Sequence, residues 1–271
     1  MEIRDRILQE AGWKIRESDR ADAASSVRTG MVLRIALAAA AVFFLFSFKV
    51  HTYLPYVAGA AAVLLAAGYY GHRTVFSRKL RAFLVRDCDP DHFLSYYCAV
   101  LQSAGRQKRW ESHIYNVAQG LFYAGEFEKA GHLLKLYENE CRSAEGDFRH
   151  DLALALLAYQ DGDLEQLRHC AALLGNESQR TRLNAELCDE LDEAKALPHF
   201  LELEQKKQWK ELYDAVNSAR FYDALPLGQL KKQVYLEKAA RGMQDTERAG
   251  MHGNYVREHA GTTFYGRVQP E

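Results

Sequence analysis

Two apolar stretches, residues 31–48 and 54–71, constrain this chain more than any other feature, because they must be covered by protein or by lipid. The first reads Met31-Val-Leu-Arg-Ile-Ala-Leu-Ala-Ala-Ala-Ala-Val-Phe-Phe-Leu-Phe-Ser-Phe48. The second reads Leu54-Pro-Tyr-Val-Ala-Gly-Ala-Ala-Ala-Val-Leu-Leu-Ala-Ala-Gly-Tyr-Tyr-Gly71. As helices rising about 1.5 Å per residue, each spans roughly 27 Å, close to the ~30 Å hydrocarbon core of a bilayer. Only Arg34 interrupts them, near one end, where its side chain can snorkel to the headgroups. Ala36 and Ala40 in one arm, and Ala58, Ala62 and Ala66 in the other, recur every four residues and allow close backbone approach. The expectation is a transmembrane helical hairpin. A buried hairpin of a water-soluble protein would carry charges on its outward faces, and a cleaved leader would be shorter and without a second apolar stretch behind it.

The flanks orient the hairpin. Arg4, Arg6, Lys14, Arg16, Arg20 and Arg28 precede it, and Arg73, Arg78, Lys79, Arg81 and Arg86 follow with no acid until Asp87, whereas the connection Lys49–Tyr53 carries one lysine. The excess of positive charge marks the cytoplasmic side, so both termini are expected there, in a cell membrane of bacterial type. Tyr53, Tyr56, Tyr69 and Tyr70 stand at the ends, where aromatic rings favour the interface. Together with Arg34, Arg73, Arg78, Lys79 and Arg81 they form the expected membrane-interface set.

The formal charge of -1 conceals an asymmetry: residues 72–86 carry only basic charges, while residues 87–271 hold 22 lysines and arginines against 30 acids. A basic collar beside the membrane suits anionic headgroups or serves only as the topology signal. The acidic body argues against nucleic acid as a partner. Cys88, Cys98, Cys141, Cys170 and Cys188 are widely spaced without a Cys-x-x-Cys pair, as expected of reduced thiols in a cytoplasmic domain. Asn176-Glu-Ser178 matches a glycosylation acceptor that this topology keeps from the glycosylation machinery.

Ile3, Ile7, Leu8, Ala11 and Ile15 are spaced by three and four residues, the pattern of a short amphipathic helix, with the small residues 21–30 expected as a loop. Asp87-Cys-Asp-Pro-Asp91 reads as a helix start, with acids at the positive end of the helix and proline in the first turn. It lacks the glycine and distal glutamate of a calcium loop. Beyond it the periodicity predicts helices over about 91–104, 109–124, 127–141, 148–160, 163–175, 179–206, 208–219 and 226–243, with a last polar helix over 244–259. The expected segments are thus 1–30, a cytoplasmic amphipathic segment; 31–71, the membrane hairpin; 72–86, a basic linker; 87–243, a helical repeat domain; and 244–271, a polar, partly flexible tail.

Aligning Gly125 with Gly162 places Leu121-Phe-Tyr-Ala-Gly-Glu-Phe-Glu-Lys-Ala130 over Ala158-Tyr-Gln-Asp-Gly-Asp-Leu-Glu-Gln-Leu167, a period of 37 residues that Lys207-Gln-Trp-Lys-Glu-Leu212 continues less regularly. Each unit is a helical hairpin in which a large residue, Phe127, Leu164 or Trp209, locks the second helix on the first, and Ala130, Leu167 or Leu212 follows at the crossing. Stacked units bury faces that one hairpin leaves open. The segment resembles the tetratricopeptide-repeat family, chiefly through Asn116-Val-Ala-Gln-Gly-Leu-Phe-Tyr-Ala-Gly-Glu-Phe-Glu-Lys-Ala130. It departs from that family in its longer period, in lacking a closing proline after Leu134 and Leu174, and in lacking the tryptophan-leucine-glycine signature. The expected fold class is therefore all-α: a transmembrane helical hairpin followed by a cytoplasmic tetratricopeptide-like solenoid.

The resemblance implies a concave groove that binds a protein or peptide. Its expected lining is Tyr115, Asn116, Gln119, Phe122 and Tyr123 from one helix and Arg149, Leu152, Leu156 and Tyr159 from the next; at the same spacing these residues also suit inter-repeat core. The basic residues that grip a C-terminal carboxylate are missing around Asn116. No phosphate loop, dinucleotide fingerprint, nucleophile elbow or His-Glu-x-x-His occurs. His113, His132, His150, His169 and His199 stand on separate helices without ligand spacing, and the run Glu186–Glu193 is expected on a solvated face. No catalytic residue, metal or cofactor is expected. The leading expectation is a membrane-anchored scaffold that recruits a protein or peptide at the cytoplasmic face. The alternative is a membrane-bound enzyme or transporter accessory subunit with a site between helices, built from His150, His169, Cys170 and nearby acids.

Overall fold

The structure, a computed structural model, describes residues 2–48, 52–104, 110–140, 144–177 and 185–267. Lys49, Val50 and His51 of the expected turn, Cys141 and Ser178 lie outside them. Among the described residues twelve α-helices occur and no strand: α1 (Ile3–Ala11), α2 (Glu17–Ser47), α3 (Leu54–Val85), α4 (Pro90–Ser103), α5 (Glu111–Tyr123), α6 (Phe127–Glu140), α7 (Ala144–Asp161), α8 (Leu164–Glu177), α9 (Ala185–Gln205), α10 (Trp209–Ser218), α11 (Pro226–Gly242) and α12 (Thr246–His259). They divide into two compact units, Lys14–Ala82 with Ser95–Arg106, and Met1–Trp13 with Phe83–Leu94 and Gln107–Glu271.

The unit of α2 and α3 is an antiparallel pair. Asp22 is ion-paired with Lys79, His72 Nε2 donates to the Ser26 carbonyl at 3.0 Å, Gly68 faces Leu33 and Gly59 faces Phe44, so numbers rise on one helix as they fall on the other. Both helices are long and apolar enough to cross a membrane. At about 1.5 Å per residue, their 31 and 32 residues run roughly 46 and 48 Å, well past the ~30 Å that a span requires. The surplus corrects two expectations. Residues 21–30 are helix rather than loop, because their small side chains let the helices approach, and Ala23 is fully buried. Residues 72–85 continue α3 rather than forming a linker, because His72, Phe76 and Leu80 recur every four residues as one stripe. Tyr96 of α4 approaches that extension, with its ring 6.3 Å from Phe76 and its hydroxyl 3.4 Å from Ser26 Oγ. The buried Asp19 carboxylate accepts from Ser95 Oγ at 2.5 Å, and Ser95 Oγ accepts from the Arg16 N–H at 2.9 Å.

The other unit is built from four helical hairpins, α5/α6, α7/α8, α9/α10 and α11/α12. They share one turn. Gly125, Gly162, Lys207 and Gln244 each have positive φ, at 82°, 73°, 56° and 60°. At each, two amides bond back across the helix end: Gly125 to Phe122 and Glu126 to Leu121, Gly162 to Tyr159 and Asp163 to Ala158, Lys207 to Glu204 and Gln208 to Leu203, Gln244 to Arg241 and Asp245 to Ala240. This pattern satisfies the last carbonyls of a helix and reverses the chain. Five residues after each turn stand Ala130, Leu167, Leu212 and Ala249, all buried in the first turns of the second helices. Ile7 and Ala11 of α1 are fully buried, and α1 packs on α5 and α6.

The start of α4 has the expected chemistry: Pro90 opens the helix, and the Asp89 carboxylate accepts from the His92 N–H at 3.0 Å. The tail does more than end the chain. Gly261, at φ +55°, lies so close to the Cys88 carbonyl that a Cβ would collide with it. Thr262 N–H donates to that carbonyl at 3.1 Å, and Thr262 Oγ1 donates to Asp89 at 2.8 Å. Phe264 then wedges between Phe122 and Phe127, with ring centroids 5.7 and 5.0 Å away, and Arg267 donates to the Ala124 carbonyl at 3.4 Å. Residues 261–267 thereby clasp the turn before α4 and the turn between α5 and α6.

Candidate functional site

The first helices of the four hairpins bring chemistry together. Along α9, Glu190, Glu193 and Glu204 are three and eleven residues apart and share one face; along α11, Lys231 and Lys238 are seven apart and do the same. Lys231 forms a buried ion pair with Glu193, the two side chains 8% and 6% exposed. The Lys231 ammonium also stands 5.9 Å from the Tyr123 ring and 5.7 Å from the Tyr222 ring, the latter carried by the 3-10 turn Arg220–Tyr222. Tyr235 contacts Tyr222, Tyr159 and Phe200, and Tyr265 contacts Tyr123. Beside this cluster the Tyr159 hydroxyl donates to Glu204, which also accepts from Lys238.

Burial dominates the protonation of this cluster. It disfavours tyrosinate and holds Tyr159, Tyr222, Tyr235 and Tyr265 well above the usual phenol value. It also opposes the Lys231 ammonium. The Glu193 carboxylate, by charge and hydrogen bond, with Tyr265 and Glu190 near it, outweighs that opposition and leaves Lys231 above its ordinary value. The arrangement therefore favours a protonated Lys231 and neutral phenols inside the helices.

The expected groove residues separate into two groups. Tyr115, Gln119, Phe122 and Leu156 line one small apolar cleft between α5, α6 and α7. There Tyr115 OH donates to Glu190 at 3.0 Å, Gln119 Nε2 donates to the Tyr115 hydroxyl at 3.3 Å, and the Arg149 guanidinium lies 5.5 Å from the Tyr115 ring. Tyr123 and Tyr159 belong instead to the tyrosine cluster around Lys231. Tyr115, Gln119, Phe122, Tyr123 and Leu152 are buried, while Asn116, Arg149, Leu156 and Tyr159 are half-buried. The run Glu186–Glu193 is corrected here: Glu193 is buried, because α11 supplies a lysine opposite it, and Glu190 accepts from Tyr115. The spacing of acids on α9 and lysines on α11 was the available signal.

The residues expected at a membrane interface lie on α2, on α3 and, for Tyr53, just before α3, with Tyr53, Tyr56 and Tyr70 at 72%, 75% and 61% exposure and Tyr69 half-buried. Arg34, Arg73, Arg78 and Lys79 are exposed and Arg81 is half-buried.

The histidines do not converge. His150 is buried between Asp151 (3.1 Å), Glu138 (3.4 Å) and the Tyr137 ring, whereas His132, His169 and His199 are exposed. Among the described residues no three of His, Cys, Asp and Glu are arranged to hold a metal ion. Cys170 is a buried thiol pushed up to about 11, chiefly by burial, and is not poised as a nucleophile. Comparison with protein-family models, with curated proteins and with solved structures returns no match to this chain.

Proposed function

We propose that the chain is a membrane-anchored interaction protein: α2 and α3 cross the membrane with both termini cytoplasmic, and a tetratricopeptide-like solenoid of four hairpins recruits a protein at that face. The observation that carries this reading is the apolar surface of α2 and α3. Ile35, Val42, Phe43, Leu45 and Phe46 on one helix, and Tyr56, Val57, Val63, Leu64 and Tyr70 on the other, are each more than half exposed. A surface of that extent in water is strongly unfavourable, and lipid removes the cost. The repeated turn at Gly125, Gly162, Lys207 and Gln244 supports the repeat reading. Because Tyr115, Gln119 and Tyr123 are buried, a partner meets the polar outward faces of α6 and α8, where His132, Lys135, Arg168 and His169 are exposed. Tethering raises the local concentration of the body near membrane partners.

The test has two parts. Leu64→Arg, near the middle of the second arm, adds about 2.5–3.5 kcal/mol to insertion and is expected to shift the chain toward alkaline-extractable material. The unmodified chain is retained. Crosslinking of the full-length protein in native membranes, followed by capture, is expected to enrich one partner that Lys135→Glu/Arg168→Glu loses. Extraction of the unmodified chain by alkaline carbonate, or capture of this chain alone, overturns the proposal.

A further inference from the structure

Resting on the membrane reading above, we infer that the base of the α2–α3 hairpin is a binding surface for the headgroups of anionic phospholipids, with Arg28, Arg34, Arg73 and Arg78 as its ligands. The contact of Gly30 with the His72 ring marks the level where both apolar stretches end. Measured along the helices at about 1.5 Å per residue, Arg73 lies roughly 1.5 Å and Arg28 roughly 3 Å from that level on the polar side. Arg78 lies roughly 9 Å away on the same side and Arg34 roughly 6 Å away on the apolar side, from which its long side chain can return to the interface. The polar headgroup layer adds only about 5–8 Å on each side of the core, so long side chains from these four positions reach it around the hairpin.

Among the described residues their charge is uncompensated. Residues 20–86 contain a single acid, Asp22. Asp22 is already ion-paired with Lys79, whose ammonium that hydrogen bond holds above its ordinary value and which lies 5.0 Å from the Tyr96 ring. Arg28, Arg34, Arg73 and Arg78 are exposed and pair with no carboxylate among the described residues. Guanidinium forks match phosphate oxygens bidentately, and each basic group beside an anionic surface strengthens attachment. A headgroup with net negative charge is selected over a zwitterionic one, because the choline ammonium of the latter offsets the phosphodiester charge and repels the same arginines.

Native mass spectrometry of the full-length protein in detergent tests this. The protein is titrated with phosphatidylglycerol and with phosphatidylcholine of identical acyl chains. Retention of phosphatidylglycerol is expected to exceed that of phosphatidylcholine, and the preference to shrink as ionic strength rises from 0.05 to 0.5 M, the probe values chosen on the order of the range over which the Debye length contracts several-fold. Arg28→Gln/Arg73→Gln is expected to lower the preference by about five-fold for each arginine, equivalent to ~1 kcal/mol, while Lys195→Gln/Lys210→Gln leaves it unchanged. Equal retention of the two lipids by the unmodified protein, or a preference insensitive to salt and to the arginine changes, overturns the inference. Carbonate extraction of the same preparations separates the two failures: an embedded chain without lipid preference refutes only the headgroup surface, and an extractable chain refutes the membrane reading beneath it.

Discussion

Lys231→Met gives the sharpest test of the buried cluster. The substitution removes the ammonium while keeping most of the side-chain volume, so Glu193, 4% exposed, is left as a charge without its counterion. Breaking one side of a buried pair costs about 3–5 kcal/mol, and for a body of this size each kcal/mol moves the midpoint by roughly 2–4 °C. A fall of roughly 6–20 °C is therefore expected in thermal unfolding of the detergent-solubilised full-length protein, followed by tryptophan fluorescence. Lys231→Met/Glu193→Leu is expected to regain most of it, because two apolar side chains need no counterion. The pH dependence of the unmodified protein has a definite sign. The folded-state pKa of Lys231 is raised, so its contribution is complete below about pH 10.4 and disappears as pH rises through the folded value. Tyr159, Tyr222, Tyr235 and Tyr265 also hold their protons more tightly when folded, and they withdraw stability above about pH 10. Both effects predict a steep loss of stability above pH 10 and little change from these groups between pH 7 and 9. A midpoint shift below about 2 °C for Lys231→Met at pH 7, where about 1 kcal/mol or less would be at stake, would refute the buried-pair argument.

Three further outcomes follow from the turns and the clasp. Gln244→Gly is expected to stabilise by about 1 kcal/mol, because a residue with a Cβ holds φ +60° there, and Gly162→Ala to destabilise by about the same amount, since no neighbour crowds that position; denaturant midpoints measure both. Phe264→Ala is expected to release residues 261–267, raising amide hydrogen exchange at Thr262 and around Phe122–Phe127 while α9 to α11 keep their protection; unchanged exchange at Thr262 would dissociate the ring packing from the clasp.

The turns mark the limit of what was legible in the repeat. Gly125 and Gly162 stand out because glycine is the residue that adopts positive φ freely. Lys207 was recognisable only from its neighbour Trp209, and the fourth turn, at Gln244, was hidden, although its backbone bonds match those at Gly125. In both, packing of the flanking helices holds an ordinary residue in the left-handed region, and local sequence carries no trace of that. The cluster was half legible for the same kind of reason. Aromatic positions on α5 and α7 were identified as one face, but a pattern of faces does not say what covers them. Phe264 and Tyr265, more than a hundred residues from Phe122 and Tyr123, supply part of the cover.

What the sequence determined by itself is the local part: which stretches are helical, where two arms are apolar on every side, and where acids and prolines open a helix. These follow from the 3.6-residue period and from terminal chemistry, which act within a few residues. Tertiary structure decided the rest. It carried α2 and α3 past the apolar arms because Ala23 and the stripe at His72, Phe76 and Leu80 find partners there. It buried Glu193 because Lys231, 38 residues onward, arrives opposite it. A charge is tolerated inside a protein only when its counterion is delivered by another element, and only the assembled helices determine that delivery.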